Sequence, residues 1–356
     1  MVHALSLKTN SLESVGFVIS TSQFFNLSSF SQVLIIVLIS CKRRGLSLEN
    51  LKALLLRRAV FNQSPFDQPI QRIFLLFSRI THCDISEQNI ESINHGIFQG
   101  LTNLTDLDLS FNELAHVDPL LFQGLGKLER INLNNNKIAS LDSNLFRGLT
   151  SLISIYLTAN NLTSLNLDLF QGVYNLRYVS FSKNKLIKVE TGLFRGLREL
   201  RTIFLGTNQL STLECNVFQG LEKLESIYLS DNRLESLDLN LFRGLGNLKS
   251  ISLKGNRLRD LKSATFENLE KLEHLSMEEN LLSCLESSLF RGLVNLRNVN
   301  LKGNRLRSIE AGMFEGLKKL EKIIIGDNPL TTDGSFDFEH FESIVRIYCN
   351  LNVIIC

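Results

Sequence analysis

The stretch LESIYLSDNRLESLDLNLFRG, Leu224 to Gly244, decides how this chain folds, because its apolar residues follow no single period. Ile227 and Leu229 alternate with polar neighbours, the signature of a short strand with one buried face. Beyond them come Asn232, Leu234 and Leu237, and then Phe242 and Gly244. The same order recurs along the chain at intervals of 24 residues. Counting the first leucine as offset 0, asparagine occupies offset 8 at 112, 136, 160, 184, 208, 232, 256, 280, 304, 328 and 352. Phenylalanine occupies offset 18 at 98, 122, 146, 170, 194, 218, 242, 266, 290, 314 and 338. Twelve copies start at Ile80, Leu104, Leu128, Leu152, Leu176, Leu200, Leu224, Leu248, Leu272, Leu296, Leu320 and Ile344; the first has Gln88 in the asparagine slot and the last stops after thirteen residues.

Each recurring residue has a physical task. Consecutive copies point the same way, so their strands pair in parallel, and the rest of each unit supplies the return path that parallel pairing requires. The asparagine sits where that path turns inward, and its amide both donates to and accepts from backbone groups that lack a ladder partner there. The phenylalanine fills the space between neighbouring coils on the return side. No coil buries its apolar face alone; a stack of them does. The predicted architecture is an α/β repeat solenoid.

This skeleton, LxxLxLxxNxLxxLxxxxFxGLxx, resembles leucine-rich repeat proteins of the 24-residue kind, with the FxGL return segment of Toll-like receptor ectodomains and Slit. The resemblance covers residues 80–356 and implies a right-handed horseshoe with a parallel sheet on its concave face and short helical or irregular segments on its convex side. It implies a non-catalytic binding protein without a cofactor. It leaves the ligand open, because one scaffold serves many partners. THCDISEQNIESI, from Thr81, resembles the end of a cysteine-rich N-terminal cap whose other cysteines are missing here. GDNPLTTD, from Gly326, resembles the start of a C-terminal cap, with Thr331 and Thr332 where cysteine is expected.

Composition adds bounds. The chain has 356 residues, 44% of them hydrophobic, and a solenoid of that length grows in one dimension as a single repeat domain. With 38 basic and 36 acidic residues the net charge is +2, which argues for neither nucleic acid nor a strongly anionic partner. The six cysteines, at 41, 83, 215, 284, 349 and 356, contain no CxxC pair, and Cys83 and Cys349 fall at apolar strand offsets as small hydrophobes. Histidines at 3, 82, 95, 116, 274 and 340 do not cluster at metal-ligand spacing, and no phosphate-binding glycine loop appears. His82 and Cys83 are strand neighbours, so a surface histidine and a core thiol are expected.

Residues 1–79 do not keep the repeat. From Ser14 to Cys41 there is no charge, and Lys42, Arg43 and Arg44 follow. Residues 1–45 read as a leader whose apolar run, Val33 to Ile39, is a secretory signal, a membrane anchor or neither; residues 46–79 read as the cap over the first coil. Sequons at Asn26, Asn62, Asn103 and Asn161 point toward the secretory route, with Asn103 and Asn161 at surface offsets. An extracellular or cell-surface location is the first reading; a cytosolic repeat scaffold is the second.

Function then rests on the displayed surface. Offsets 2, 4, 6 and 7 face outward from the strands, and they carry Asp84, Glu87, Asp106 and Asp108 in the first coils. In the middle coils they carry Tyr156, Tyr178, Phe204 and Tyr228, the expected patch for a protein ligand, since interface hot spots favour tyrosine. The heptapeptide LKGNRLR occurs at Leu253 and again at Leu301. Its Lys254, Arg257, Arg259, Lys302, Arg305 and Arg307 form a basic flank that reads as a solvated mixed-charge surface, because Glu278 and Glu279 lie between the two copies. The sharper alternative is a site for an acidic protein segment or a sulfated glycan.

Overall fold

In a computed structural model of the protein, residues 80–330, 346–349 and 352–355 are described. The expectations for the leader, the cap region, Phe338, Cys41 and Cys356 lie outside them. One sheet of thirteen strands runs in strict chain order. The strands are β1 His82–Asp84, β2 Asp106–Asp108, β3 Arg130–Asn132, β4 Ser154–Tyr156, β5 Tyr178–Ser180, β6 Thr202–Phe204 and β7 Ser226–Tyr228. They continue as β8 Ser250–Ser252, β9 His274–Ser276, β10 Asn298–Asn300, β11 Lys322–Ile324, β12 Arg346–Cys349 and β13 Asn352–Ile355. From β1 to β12 each pairs in parallel with the next at a register of 24 residues, for example Ile203 opposite Ile227. The sheet forms the concave face of a leucine-rich solenoid, as the repeat predicts.

The middle residue of each strand points inward, from Cys83 and Leu107 through Ile227 to Ile347, and all of them are buried. The return side has no α-helix among the described residues; it is built of turns and three four-residue 3-10 helices, His95–Phe98, Ser263–Phe266 and Ala311–Phe314. Phenylalanine rings stack down this side, with centroids 6.3 Å apart for Phe122 and Phe146 and 6.2 Å for Phe194 and Phe218. No described helix is long and apolar enough to cross a membrane.

The asparagine ladder accounts for the turn after each strand. Asn208 donates its amide to the carbonyls of Phe181, in the preceding coil, and Leu205, in its own, at 2.9 and 3.0 Å. Its Oδ1 accepts from the Leu186 amide at 3.0 Å. Thus one side chain satisfies three backbone groups across two coils, and the pattern repeats from Asn112 to Asn328. Just before each ladder asparagine the backbone turns left-handed at offset 7, with φ near +55° at residues as varied as Phe111, Thr207 and Glu279. Glycine fills that slot only in the two LKGNRLR copies, as Gly255 and Gly303.

The last copy departs from the expected pattern. β13 runs antiparallel to β12, with Asn352 opposite Cys349. Asn352 therefore opens a returning strand and does not stand at a coil's turn, so the asparagine register ends at Asn328. Only two residues separate β12 and β13, the length of a hairpin connection, whereas another parallel strand needs a full return path.

Candidate functional site

The strand register brings the predicted aromatic residues onto one patch of the sheet. Tyr156 ends β4, Tyr178 begins β5, Phe204 ends β6 and Tyr228 ends β7. At offset 4 the register runs Tyr156, Ser180, Phe204, Tyr228. Phe204 and Tyr228 stack face to face, centroids 4.7 Å apart and planes within 4°. Tyr178 is 38% exposed, and Tyr156, Phe204 and Tyr228 are half-buried, each displaying part of its ring. Two serines are buried although their offsets face outward. Ser180, between Tyr156 and Phe204, is 5% exposed, and Ser154, opposite Tyr178, is 3% exposed. Large flanking rings cover a hydroxymethyl group between them, and Ser180 keeps a partner in the Thr158 hydroxyl at 2.6 Å. Thr202, Ser226, Ser250 and Ser252 occupy neighbouring strand positions, while Arg130 lies opposite Ser154 at the N-terminal edge of the patch and Lys183 is exposed just past β5.

The N-terminal end of the same face is acidic and internally paired. Asp84 and Asp108 each accept from the amide and hydroxyl of the serine two residues on. Asp106 lies between His82, 3.1 Å away, and Arg130, which donates to it across one coil. Partial burial alone raises the Asp106 pKa; hydrogen bonds from Arg130 and Thr105 outweigh that and leave it below the ordinary value. Asp106 thus ties adjacent coils together, as does Asp108 by accepting from Asn132 at 3.0 Å. Phe111, at offset 7 of the second coil, is 55% exposed and was not singled out from the sequence, where it stands apart from the other aromatics. Tyr348 is another missed aromatic at offset 4, with the Lys322 ammonium 4.7 Å from its ring centre.

The basic flank divides in two. Lys254 meets Glu278 at 3.0 Å and Glu279 at 3.5 Å, and its pKa is raised chiefly by the Glu278 hydrogen bond. Lys302 meets Asp327 at 3.2 Å. Both lysines are thus neutralised. Arg257, Arg259, Arg305 and Arg307 are all exposed. Arg233, one coil earlier in the same row, is exposed as well and joins them.

The sequon asparagines Asn103 and Asn161 are half-buried. Asn103 Oδ1 accepts from Lys127 Nζ at 2.6 Å, and Asn161 Nδ2 donates to the Lys137 carbonyl at 3.4 Å. Cys83 is buried beside the part-exposed His82, as expected, and Cys215 and Cys284 are free thiols. Among the described residues no group of three His, Cys, Asp or Glu side chains is placed to hold a metal.

Comparison with known proteins agrees with this geometry. No curated protein sequence matches the chain. Among solved structures, one of TLR13 in complex with an ssRNA is 26% identical, with a TM-score of 0.56, over 75% of this chain and 46% of that one. The Toll–Spatzle complex of Drosophila gives 24% identity and a TM-score of 0.53 over 68% of this chain and 38% of the other. An assembly of Latrophilin 3, Unc5D and the leucine-rich repeat protein FLRT2 gives 22% identity and a TM-score of 0.62, covering 72% and 78%. The chain thus spans less than half the length of the TLR13 and Toll chains. The leucine rich repeat family profile matches nine overlapping windows, which together run from residue 78 to 353. With its unbroken register and its asparagine and phenylalanine rows, the chain belongs to the leucine-rich repeat family.

Proposed function

We propose that this protein is a non-catalytic binding protein that holds a protein ligand on its concave face, outside the cell or at its surface. The observation that carries the reading is the stacked pair Phe204 and Tyr228, with Tyr156 and Tyr178 on the strands before it. Four part-exposed rings set largely among hydroxyl side chains supply apolar area that strand pairing alone does not require, and rigid aromatics bind with little loss of side-chain freedom. The Toll and FLRT2 structures, both solenoids in complexes with other proteins, support a protein partner. The TLR13 chain is solved with an RNA, so an overall balance of charge does not by itself exclude nucleic acid from such a fold. Here the positions around the rings are mostly hydroxyls, with Arg130 at one edge and Lys183 past β5, too few cations to track a phosphate backbone, which favours protein.

The test is a binding screen of the full chain against a panel of purified extracellular domains and an ssRNA oligomer, repeated with Tyr156, Phe204 and Tyr228 all changed to serine. A domain that binds the wild type and is lost by the folded variant supports the reading. Binding that survives the triple change, or binding to the RNA alone, overturns it.

A further inference from the structure

We infer that five arginines on the flank past the asparagine ladder, Arg233, Arg257, Arg259, Arg305 and Arg307, form a second binding site, for a linear sulfated polysaccharide. The backbone fixes their spacing. Arg233 donates its amide to Leu210, Arg257 to Leu234, Leu281 to Leu258 and Arg305 to Leu282, so these residues stand in one row, a coil apart. At roughly 5 Å per coil, Arg233 and Arg305 lie roughly 15 Å apart along the solenoid. Arg259 and Arg307 form a second row two residues further on.

The contrast with the opposite flank gives the strip its meaning. On the side leading into the strands, cations meet carboxylates across the coils: Arg201 with Glu225 at 2.5 Å, Lys249 with the same Glu225 at 2.9 Å, Lys223 with Glu199 at 2.6 Å, and Arg297 with Glu321. On the far flank, Arg233, Arg257, Arg259 and Arg305 are exposed, and their guanidinium groups have no ion-pair or hydrogen-bond partner among the described residues. Glu235 and Asp260 lie among the rows, and the exposed Asp231 and Glu279 lie just ahead of them, Glu279 being paired with Lys254, so the five arginines outnumber the four carboxylates around them. All five cations are arginine, whose planar fork takes oxyanions two hydrogen bonds at a time.

The shape of the strip selects the occupant. A protein partner needs an apolar anchor, and the arginine rows contain one half-buried leucine, Leu281. A single-stranded nucleic acid needs rings on which bases stack, and these two rows have none. An extended chain bearing regularly spaced sulfates requires only rows of exposed cations in a line, which these are. The site is separate from the concave aromatic patch, and its binding does not depend on what that patch holds.

Heparin is the probe. The full chain is titrated with heparin at physiological salt, and the titration is repeated with all five arginines changed to glutamine. A charge-matched control carries R201Q, K223Q, K249Q, R297Q and K319Q on the opposite flank. A milder pair, R257Q with R305Q, covers the case in which a fivefold variant misfolds. The strip variant is expected to bind on the order of a hundredfold more weakly, with a shallower salt dependence. The paired variant falls between, and the control stays near the wild type. Equal losses in strip and control variants, no binding by the wild type, or competition by polyglutamate as effective as by heparin would each overturn the assignment. The triple serine change in the concave patch leaves heparin binding intact, which separates failure of this site from failure of the other.

Discussion

Asn208 and Phe218 show how much a single residue carries in this fold. The Asn208 amide serves three backbone groups, and although the Phe181 and Leu205 carbonyls also accept from Asn184 and Asn232, the Leu186 N–H has Asn208 Oδ1 as its partner, so Asn208→Ala strands a buried donor and lowers stability by about 1 to 3 kcal/mol. Phe218 is buried and stacks on Phe194, and Phe218→Ala leaves a cavity costing about 3 to 5 kcal/mol. Chemical denaturation of both variants, with the phenylalanine change the worse, checks the ranking. Asp106 behaves differently because it titrates. Its folded-state pKa is depressed, so the stability it contributes is present above the unfolded value of about 4 and is lost as pH falls through the folded value. Arg130→Gln is therefore expected to lower stability modestly near neutrality, where Asp106 is ionised, and to leave it unchanged well below about pH 4, which flattens the acid limb of the stability curve. An acid limb identical to that of the wild type would show that Arg130 is not what holds the carboxyl.

At the level of one coil, the left-handed residue before each ladder asparagine is the tightest point. Gly303→Ala has room, since the nearest atom to a new Cβ is Glu279 Cγ at 3.5 Å, and the left-handed backbone alone costs about 1 kcal/mol. Gly255→Ala additionally meets Asp231 Oδ1, so that side chain must turn away, and the loss is expected to be the larger of the two by thermal melting. The rows at offsets 3, 5, 8 and 18 were legible in the sequence because each is set by one chemical demand repeated in every coil. Features set by pairs of coils were not. That Ser180 is buried depends on rings in the coils before and after it, and that Lys254 is neutralised depends on Glu278 standing one coil on. Arg233 escaped notice because it lies outside the repeated heptapeptide, although its offset is that of Arg257 and Arg305. Asn352 kept the spacing of a ladder residue while the chain had already turned into an antiparallel strand.

Across the whole molecule, a single sheet presents an acidic end tied together by its own ion pairs and an aromatic centre, and one flank carries a line of exposed arginines. Stability is distributed over the stack, while binding is confined to a few exposed side chains, so the two are separable by mutation. Location is tested by peptide mass spectrometry of the chain made in eukaryotic cells: glycans on Asn103 and Asn161 are expected, and recovery of both bare would favour the cytosolic scaffold. The most direct test of the central claim places a photo-crosslinking residue at Ser226, on the concave face beside Tyr228, and in a second protein at Tyr174, which is 59% exposed in the loop ahead of β5. Crosslinking to a bound extracellular domain from position 226 and not from 174, abolished when Tyr156, Phe204 and Tyr228 become serine, is the predicted result; capture from 174 alone, or from 226 regardless of the three aromatics, would contradict it.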